Sequence, residues 1–162
     1  MIPVNEPLLD GREKELLIEC IDTGWISSEG PFVGEFEEKF AASVMRLHGV
    51  ATSSGSAALD VAVAAIGIEK GDEVIMPAFT IISPALSVVR AGGVPVLIDS
   101  DINTWNMDVT RIEEKITEKT KAIIAVHIYG LPVDMDPLLD IAKRHNLKVI
   151  EDAAEMHGQE YK

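Results

Sequence analysis

The chain has 162 residues, of which 47% are hydrophobic and only 5% aromatic. That composition suits one aliphatic α/β core and is unlike that of a disordered tail. Fourteen Lys and Arg against 27 Asp and Glu leave a formal charge of −13, which would repel a nucleic-acid backbone and offers no basic membrane patch. We therefore expect one soluble, cytoplasmic domain that binds neither nucleic acid nor membrane.

The lone Cys20 cannot form an internal disulfide, and its apolar helical surroundings favour a packed thiol in a reducing compartment. Residues 1–7 lack the basic region and the long apolar run of a signal peptide. No pair of His or Cys residues has metal-ligand spacing, so we expect no metal site.

Two helices are predicted before residue 50. Asp10 and Glu13 have the spacing of a capping box, and apolar residues follow at helical intervals up to Gly24. A second helix follows a polar turn, and its inner side carries Phe36, Phe40, Ala41 and Val44.

From residue 50 onward, short apolar runs alternate with helical segments. Strands are predicted near 50–53, 73–76, 94–98, 122–126 and 148–151. Helices are predicted over 57–66, 83–91, 109–116 and 137–144, the last with Asp136 as its N-cap and Pro137 in its first turn. This alternation predicts an α/β fold with a mostly parallel sheet covered by helices on both faces.

Two features at the ends of these elements predict a ligand site. Asp152 follows the last apolar run directly, and ligands of open parallel sheets bind beyond the carboxyl ends of the strands. Ser54, Gly55 and Ser56 begin an apolar helix, where free backbone N–H groups and the helix dipole favour a phosphate.

Five segments carry a resemblance to a known family. They read GWISSEGP at 24–31, SSGSAAL at 53–59, GDEVIMPAFT at 71–80, VHIYG at 126–130 and EDAAE at 151–155. In this order and spacing the chain resembles the DegT/DnrJ/EryC1/StrS family of pyridoxal 5'-phosphate (PLP)-dependent nucleotide-sugar aminotransferases. The resemblance implies that residues 1–162 form a single domain, the N-terminal portion of a fold-type-I large domain, with the rest of that domain and a small C-terminal domain absent.

The same resemblance implies roles for five cofactor-binding residues. Asp152 would pair with the pyridine nitrogen of the cofactor and keep it protonated. Gly55 and Ser56 would bind the phosphate, and Glu155 would lie near the phenolic oxygen of the ring. Ile81 stands where the family commonly stacks an aromatic side chain on the ring, and dispersion lets an aliphatic group cover that face.

Trp25, Ser27 and Ser28 resemble the loop that borders the substrate pocket, in the family often across a homodimer interface. Trp25 could equally be a packing anchor for the first helix.

Simpler interpretations remain open for other residues. Asp152 could be an N-cap at a strand-to-helix turn, and Ser56 could be a helix N-cap. Phe79 is expected in the core, and hydrogen-bonded structural roles are expected for His127 and His157.

The family resemblance also implies a lysine that holds the cofactor covalently, located beyond the position that matches Lys162. Lys143, Lys148 and Lys162 are not credible substitutes for it, so the chain is expected to be a fragment that contains no catalytic residue and has no turnover by itself. Such a fragment would expose sheet edge and apolar surface and would tend to aggregate or oligomerise.

The implied reaction of the whole protein is amination of C4 of a GDP-linked 4-keto-6-deoxy sugar, with glutamate as the expected donor of nitrogen. A related branch of the family replaces the lysine by histidine and is a sugar 3-dehydratase, and the available residues leave both branches open. A non-catalytic binding module is the alternative from a different functional class.

Overall fold

The structure is a computed structural model that describes residues 2–3 and 6–162. The chain divides into two compact units, Met1–Ala51 and Thr52–Lys162, which are described in turn. No helix of the described part of the chain is long and apolar enough to cross a membrane.

The first unit contains helices α1 (Glu13–Thr23) and α2 (Pro31–Ser43). Arg12 precedes α1 and makes no side-chain capping bond, so the predicted capping box at Asp10 is wrong. Gly24 ends α1 in the left-handed conformation, with φ 76°, as expected of a glycine that terminates a helix.

The predicted inner side of α2 is only partly buried. Ala41 is buried, whereas Phe36, Phe40 and Val44 keep much of their surface exposed. The rings of Phe36 and Phe40 lie 5.6 Å apart on successive turns and contact each other. A pair of helices has too little surface to cover a whole apolar stripe, which leaves an apolar face open here.

The second unit is a parallel sheet with helices on both faces. Its elements are α3 (Gly55–Ala65), β1 (Glu73–Pro77), α4 (Ser83–Arg90), β2 (Val94–Ile98), β3 (Thr120–Val126), α5 (Met135–Arg144) and β4 (Lys148–Asp152). The strand order is β2-β1-β3-β4, and every pairing is parallel. The predicted α/β fold class is confirmed.

Two apolar clusters hold the helices to the sheet. Alternate residues of each strand point to opposite faces, so one strand supplies both clusters. The cluster under α3 and α4 includes Leu59, Val63, Val88, Met76, Ile124 and Ile150. The cluster under α5 includes Ile75, Ile123, Met107, Ile112 and Leu138.

The prediction of a strand near 50–53 is wrong, because polar groups of this segment form hydrogen bonds outside any sheet. The Ala51 N–H donates to the Glu37 carboxylate at 2.8 Å, and the Thr52 hydroxyl donates to the Ser54 carbonyl at 3.0 Å. These bonds take the place of a sheet ladder.

Two helix predictions also need correction. The segment 109–116 forms two short 3-10 turns, Val109–Arg111 and Glu113–Lys115, because the Asp108 carboxylate accepts both the N–H and the hydroxyl of Thr110. Helix α5 begins at Met135 after Asp134, so Asp136 is not its N-cap. The Asp136 carboxylate instead pairs with Lys162 at 2.5 Å.

Candidate functional site

The start of α3 lies at the carboxyl edge of the sheet. Ser54 is the N-cap, and its hydroxyl accepts the Ala57 N–H at 3.2 Å, so the interpretation of Ser56 as the N-cap is wrong. The Ser56 hydroxyl instead lies 2.8 Å from that of Ser83, the first residue of α4. Because α4 follows β1, this bond anchors the N-terminus of α3 at the end where parallel strands present ligand-binding groups.

The N-terminus of α3 has the donors that an anion requires. The N–H groups of Gly55 and Ser56 precede the first intrahelical hydrogen bond, which Ala58 donates to Ser54. A Cβ placed on Gly55 would meet no atom within 4 Å, so the backbone there is open to close approach. The helix dipole adds partial positive charge at the same position.

Asp152 is the last residue of β4 and is partly buried. Its Oδ1 accepts the Ala154 N–H at 3.2 Å, which fixes the carboxylate at the strand end. The segment that follows forms turns rather than a helix, so the N-cap interpretation of Asp152 is wrong. Ile150, two residues earlier, packs in the cluster under α3, and Asp152 therefore points to the face that α3 covers.

Glu155 is held by the loop that follows β3. Its Oε2 accepts the backbone N–H of Tyr129 at 2.8 Å, and its side chain is exposed in a turn rather than on a helix. Tyr129 has φ 50° and ψ 33°, a left-handed conformation that is strained for a bulky residue. The hydrogen bond that Tyr129 donates to Glu155 helps to hold that conformation.

Between β1 and α4 lie two residues that bear on a ligand site, one of them exposed and the other with a buried, unpartnered hydroxyl. The Ile81 side chain is 68% exposed, and its role toward a cofactor ring stays a prediction. The Thr80 hydroxyl oxygen is buried and has no hydrogen-bond partner among the described residues. A buried hydroxyl without a partner is energetically unfavourable, which favours a ligand or water at this position.

Three aromatic side chains from different loops meet at the same edge. Phe79 lies 5.7 Å from Trp105 and 6.4 Å from Tyr129 between ring centroids. Phe79 is 40% exposed, and Trp105 and Tyr129 are more exposed still, so the prediction that Phe79 belongs to the core is wrong. Trp105, with φ 62°, has a left-handed backbone conformation like that of Tyr129, and neither conformation could be predicted from the sequence.

His127 is 1% exposed and makes two side-chain hydrogen bonds. Its Nδ1 accepts the Val133 N–H at 3.0 Å, and its Nε2 lies 3.1 Å from Oε1 of Glu151. His127 is thus hydrogen-bonded through both ring nitrogens, as predicted. His157 is exposed, and its role stays a prediction.

Trp25, Ser27 and Ser28 belong to the first unit. Trp25 and Ser27 line an open cavity of about 370 Å³ together with Leu17 and Cys20 of α1, and Trp25 is 48% exposed, so its packing role also stays a prediction. The Ser27 hydroxyl accepts the Glu29 N–H at 3.4 Å, and Ser28 is exposed. Their role toward a substrate stays a prediction.

Lys143 and Lys148 lie away from Asp152, and Lys162 is already paired. Lys143 is in the last turn of α5 and Lys148 begins β4, so both lie at the amino end of that strand. The ammonium of Lys162 bonds to Asp136, which raises its pKa above the usual range for lysine. Within residues 2–3 and 6–162, no group of three His, Cys, Asp or Glu side chains could hold a metal ion.

Comparison with known proteins identifies the family. The model of the DegT/DnrJ/EryC1/StrS aminotransferase family matches residues 7–162. The chain belongs to this family. It is 50% identical over 161 residues to GDP-perosamine synthase of Caulobacter vibrioides, an alignment that covers 99% of this chain and 43% of that protein.

Two solved structures of relatives share the fold. The aminotransferase from Psychrobacter cryohalolentis has a TM-score of 0.89 at 36% identity, over 98% of this chain and 41% of that one. E. coli GDP-4-keto-6-deoxy-D-mannose-3-dehydratase with bound hydrated PLP has a TM-score of 0.91 at 28% identity, over 99% of this chain and 42% of that one. The predicted fold-type-I class is confirmed, and the chain spans less than half the length of these relatives.

Proposed function

We propose that these 162 residues are the N-terminal portion of the cofactor-binding large domain of a PLP-dependent sugar aminotransferase. The observation that carries the proposal is the position of Asp152 at the same edge and on the same face of the sheet as the N-terminus of α3. A phosphate-binding helix start and a carboxylate for a ring nitrogen thus lie at opposite ends of one site.

The described residues fit this cofactor. The open backbone at Gly55 and the hydroxyl of Ser56 suit a phosphate, and the unpartnered Thr80 hydroxyl offers a further polar contact between β1 and α4. Ile81 has the exposed surface needed to cover a ring face by dispersion. Bound PLP supplies an electron-accepting ring for carbanion chemistry.

Two carboxylates would control protons on the ring. Asp152 Oδ1 is fixed by the Ala154 N–H, which leaves Oδ2 to pair with a protonated pyridine nitrogen. Glu155 Oε2 is occupied by the Tyr129 N–H, and its remaining oxygen would face the phenolic oxygen of the ring.

The proposed substrate of the whole protein is a nucleotide-linked 4-keto-6-deoxy sugar, with glutamate as the amino donor and a homodimer as the assembly. The 50% identity to a GDP-perosamine synthase supports a GDP-linked sugar in particular. Trp25, Ser27 and Ser28 would border the sugar. Their hydroxyls and indole can bond and pack against a polar ring.

We propose that the 162 residues alone bind the cofactor without turnover. Lys143 and Lys148 lie at the amino end of β4, and Lys162 is held as a paired ammonium, which is a poor nucleophile. Transamination by the purified chain that is abolished by Asp152→Asn would contradict this proposal.

A sugar 3-dehydratase is the second candidate, because the chain superposes on a GDP-4-keto-6-deoxy-D-mannose-3-dehydratase with a TM-score of 0.91. Both enzymes would use the same phosphate and ring contacts. The two functions separate in a coupled assay of the whole protein, in which amino-acid-dependent formation of an amino sugar favours the aminotransferase.

The cofactor proposal can be tested by titrating the 162-residue chain with pyridoxamine 5'-phosphate and, separately, with pyridoxamine, while the fluorescence of its tryptophans is recorded. We expect saturable binding of the phosphate ester and at least tenfold weaker binding of pyridoxamine, since charge-assisted hydrogen bonds to the phosphate are lost. Equal affinities would contradict a phosphate site at Gly55 and Ser56.

A further inference from the structure

The end of β4 has only one neighbouring strand. In the sheet order β2-β1-β3-β4, the last residues of β4 pair with β3 alone. Within these 162 residues, the backbone bonds that hold the end of β4 are therefore those to β3.

His127 provides two contacts to this strand end. Its backbone N–H donates to the Asp152 carbonyl at 3.2 Å, one step beyond the last residue pair of the β3–β4 ladder. Its imidazole lies 3.1 Å from the Glu151 carboxylate. One residue therefore contacts both of the final residues of β4, Asp152 through the backbone and Glu151 through its side chain.

The hydrogen-bond network fixes the tautomer of this histidine. Nδ1 accepts the Val133 N–H, so it carries no proton, and the proton of the neutral ring is on Nε2. Nε2–H then donates to Glu151. The ring itself is 1% exposed and its partner Val133 is fully buried, so the bond to Val133 does not compete with bulk water, whereas the Glu151 side chain keeps 38% of its surface exposed.

We propose that His127 is a positioning residue for Asp152. By donating from Nε2 to Glu151 and from its backbone to Asp152, it holds the end of β4 against β3 and keeps the Asp152 carboxylate in place for the cofactor ring. The expected effect on cofactor binding rests on the proposed function. The expected effect on the position of the Asp152 carboxylate rests only on the hydrogen bonds described above.

Two variants each remove one of the two side-chain hydrogen bonds of His127 and keep the other. In His127→Asn, the amide oxygen can replace Nδ1 as the acceptor for Val133, but the side chain is too short to reach Glu151. In His127→Gln, the amide nitrogen can replace Nε2 as the donor to Glu151, and the buried Val133 N–H loses its acceptor. The second variant should be the less stable, since an unsatisfied buried donor is the larger penalty.

The position of the carboxylate can be read from the amide signal of Ala154, which donates to Asp152 Oδ1. In NMR spectra of the 162-residue chain without cofactor, we expect this signal and its pH titration to change in His127→Asn and to stay close to the original in His127→Gln. We also expect affinity for pyridoxamine 5'-phosphate to fall about tenfold in His127→Asn and less than about threefold in His127→Gln.

The predicted order of affinities is opposite to the order of stabilities, measured by urea unfolding. A purely structural role would make the less stable His127→Gln the weaker binder, and that outcome would overturn the inference. An unchanged Ala154 signal in His127→Asn would also overturn it. If the original chain binds no cofactor, the proposed function fails, while the Ala154 signal in the two variants still decides the role of His127.

Discussion

The side-chain hydroxyls of Ser56 and Ser83 lie 2.8 Å apart and join the first turns of α3 and α4. A short loop connects the carboxyl end of β1 to helix α4, so the first turn of α4 lies close to that end of the strand. Through this bond the N-terminus of α3 reaches the edge at which Asp152 ends β4. The site thus depends on a contact between residues 27 positions apart.

The first prediction concerns this hydroxyl pair. Ser56→Ala should weaken binding of pyridoxamine 5'-phosphate about tenfold, because a hydrogen bond to a charged group is lost. Ser83→Ala should have a smaller effect, since Ser56 keeps its hydroxyl and loses only its partner. Calorimetric titration of both variants provides the comparison, and equal losses would show that Ser56 acts only through Ser83.

Gly55→Ala should separate stability from binding. No atom lies within 4 Å of the added methyl group, and alanine is the better helix former, so the free energy of unfolding should stay the same or rise by up to about 1 kcal/mol. Cofactor affinity should fall, because the methyl group occupies the space through which a phosphate approaches the backbone. Urea unfolding and titration on the same sample measure the two effects, and undiminished affinity would place the phosphate elsewhere.

Gly93→Ala should have the opposite effect on stability. Its Cβ would lie 2.8 Å from the Ile68 side chain, 2.9 Å from that of Val88 and 3.1 Å from the Asp72 carbonyl. We expect a loss of about 1–3 kcal/mol in the free energy of unfolding, the usual penalty for overpacking. Gly55→Ala is the matched control in the same unit, and similar stabilities of the two variants would contradict the packing described here.

The pH dependence of stability should reveal Glu113. Hydrogen bonds from Arg144 and then His145 lower its pKa from 4.5 to about 2. The folded state therefore binds this proton less readily than the unfolded state, so the stabilisation is complete above pH 4.5 and is lost as the pH falls through about 2. Glu113→Gln should reduce the pH dependence of the free energy of unfolding between pH 4.5 and about 2.

Urea unfolding at several pH values between these limits measures the effect. Glu118→Gln removes the same formal charge from the same unit and is the matched control. An identical acid dependence in Glu113→Gln and the original chain would contradict the assignment.

The parallel sheet was predictable because each strand is a short apolar run between helical patterns, and four of the five predicted runs are strands. The fifth, at 50–53, has the composition of a strand but no ladder partner, since Glu37 satisfies the Ala51 N–H. Sequence periodicity reports which residues can be buried and does not report competing side-chain acceptors.

Asp152 and the start of α3 were predictable from their positions at element ends. Ser83, Thr80 and Tyr129 were not, for different physical reasons. The role of Ser83 depends on a contact across the fold, that of Thr80 on burial of a single atom, and that of Tyr129 on a left-handed backbone that tyrosine rarely adopts. Phe79 packs against Trp105 and Tyr129 at the surface, a contact between separate loops that the sequence does not reveal.

The most direct test of the central claim is a measurement of the pKa of the pyridine nitrogen in the bound cofactor. Pyridoxamine 5'-phosphate labelled with ¹⁵N at the pyridine nitrogen would be titrated with acid and base in complex with the 162-residue chain and with Asp152→Asn. Asparagine can keep the bond from Ala154 but carries no charge. We predict that the pKa of the bound ring nitrogen lies above that of the free cofactor in the original chain and loses this increase in Asp152→Asn. The same pKa in both complexes would contradict the role of Asp152.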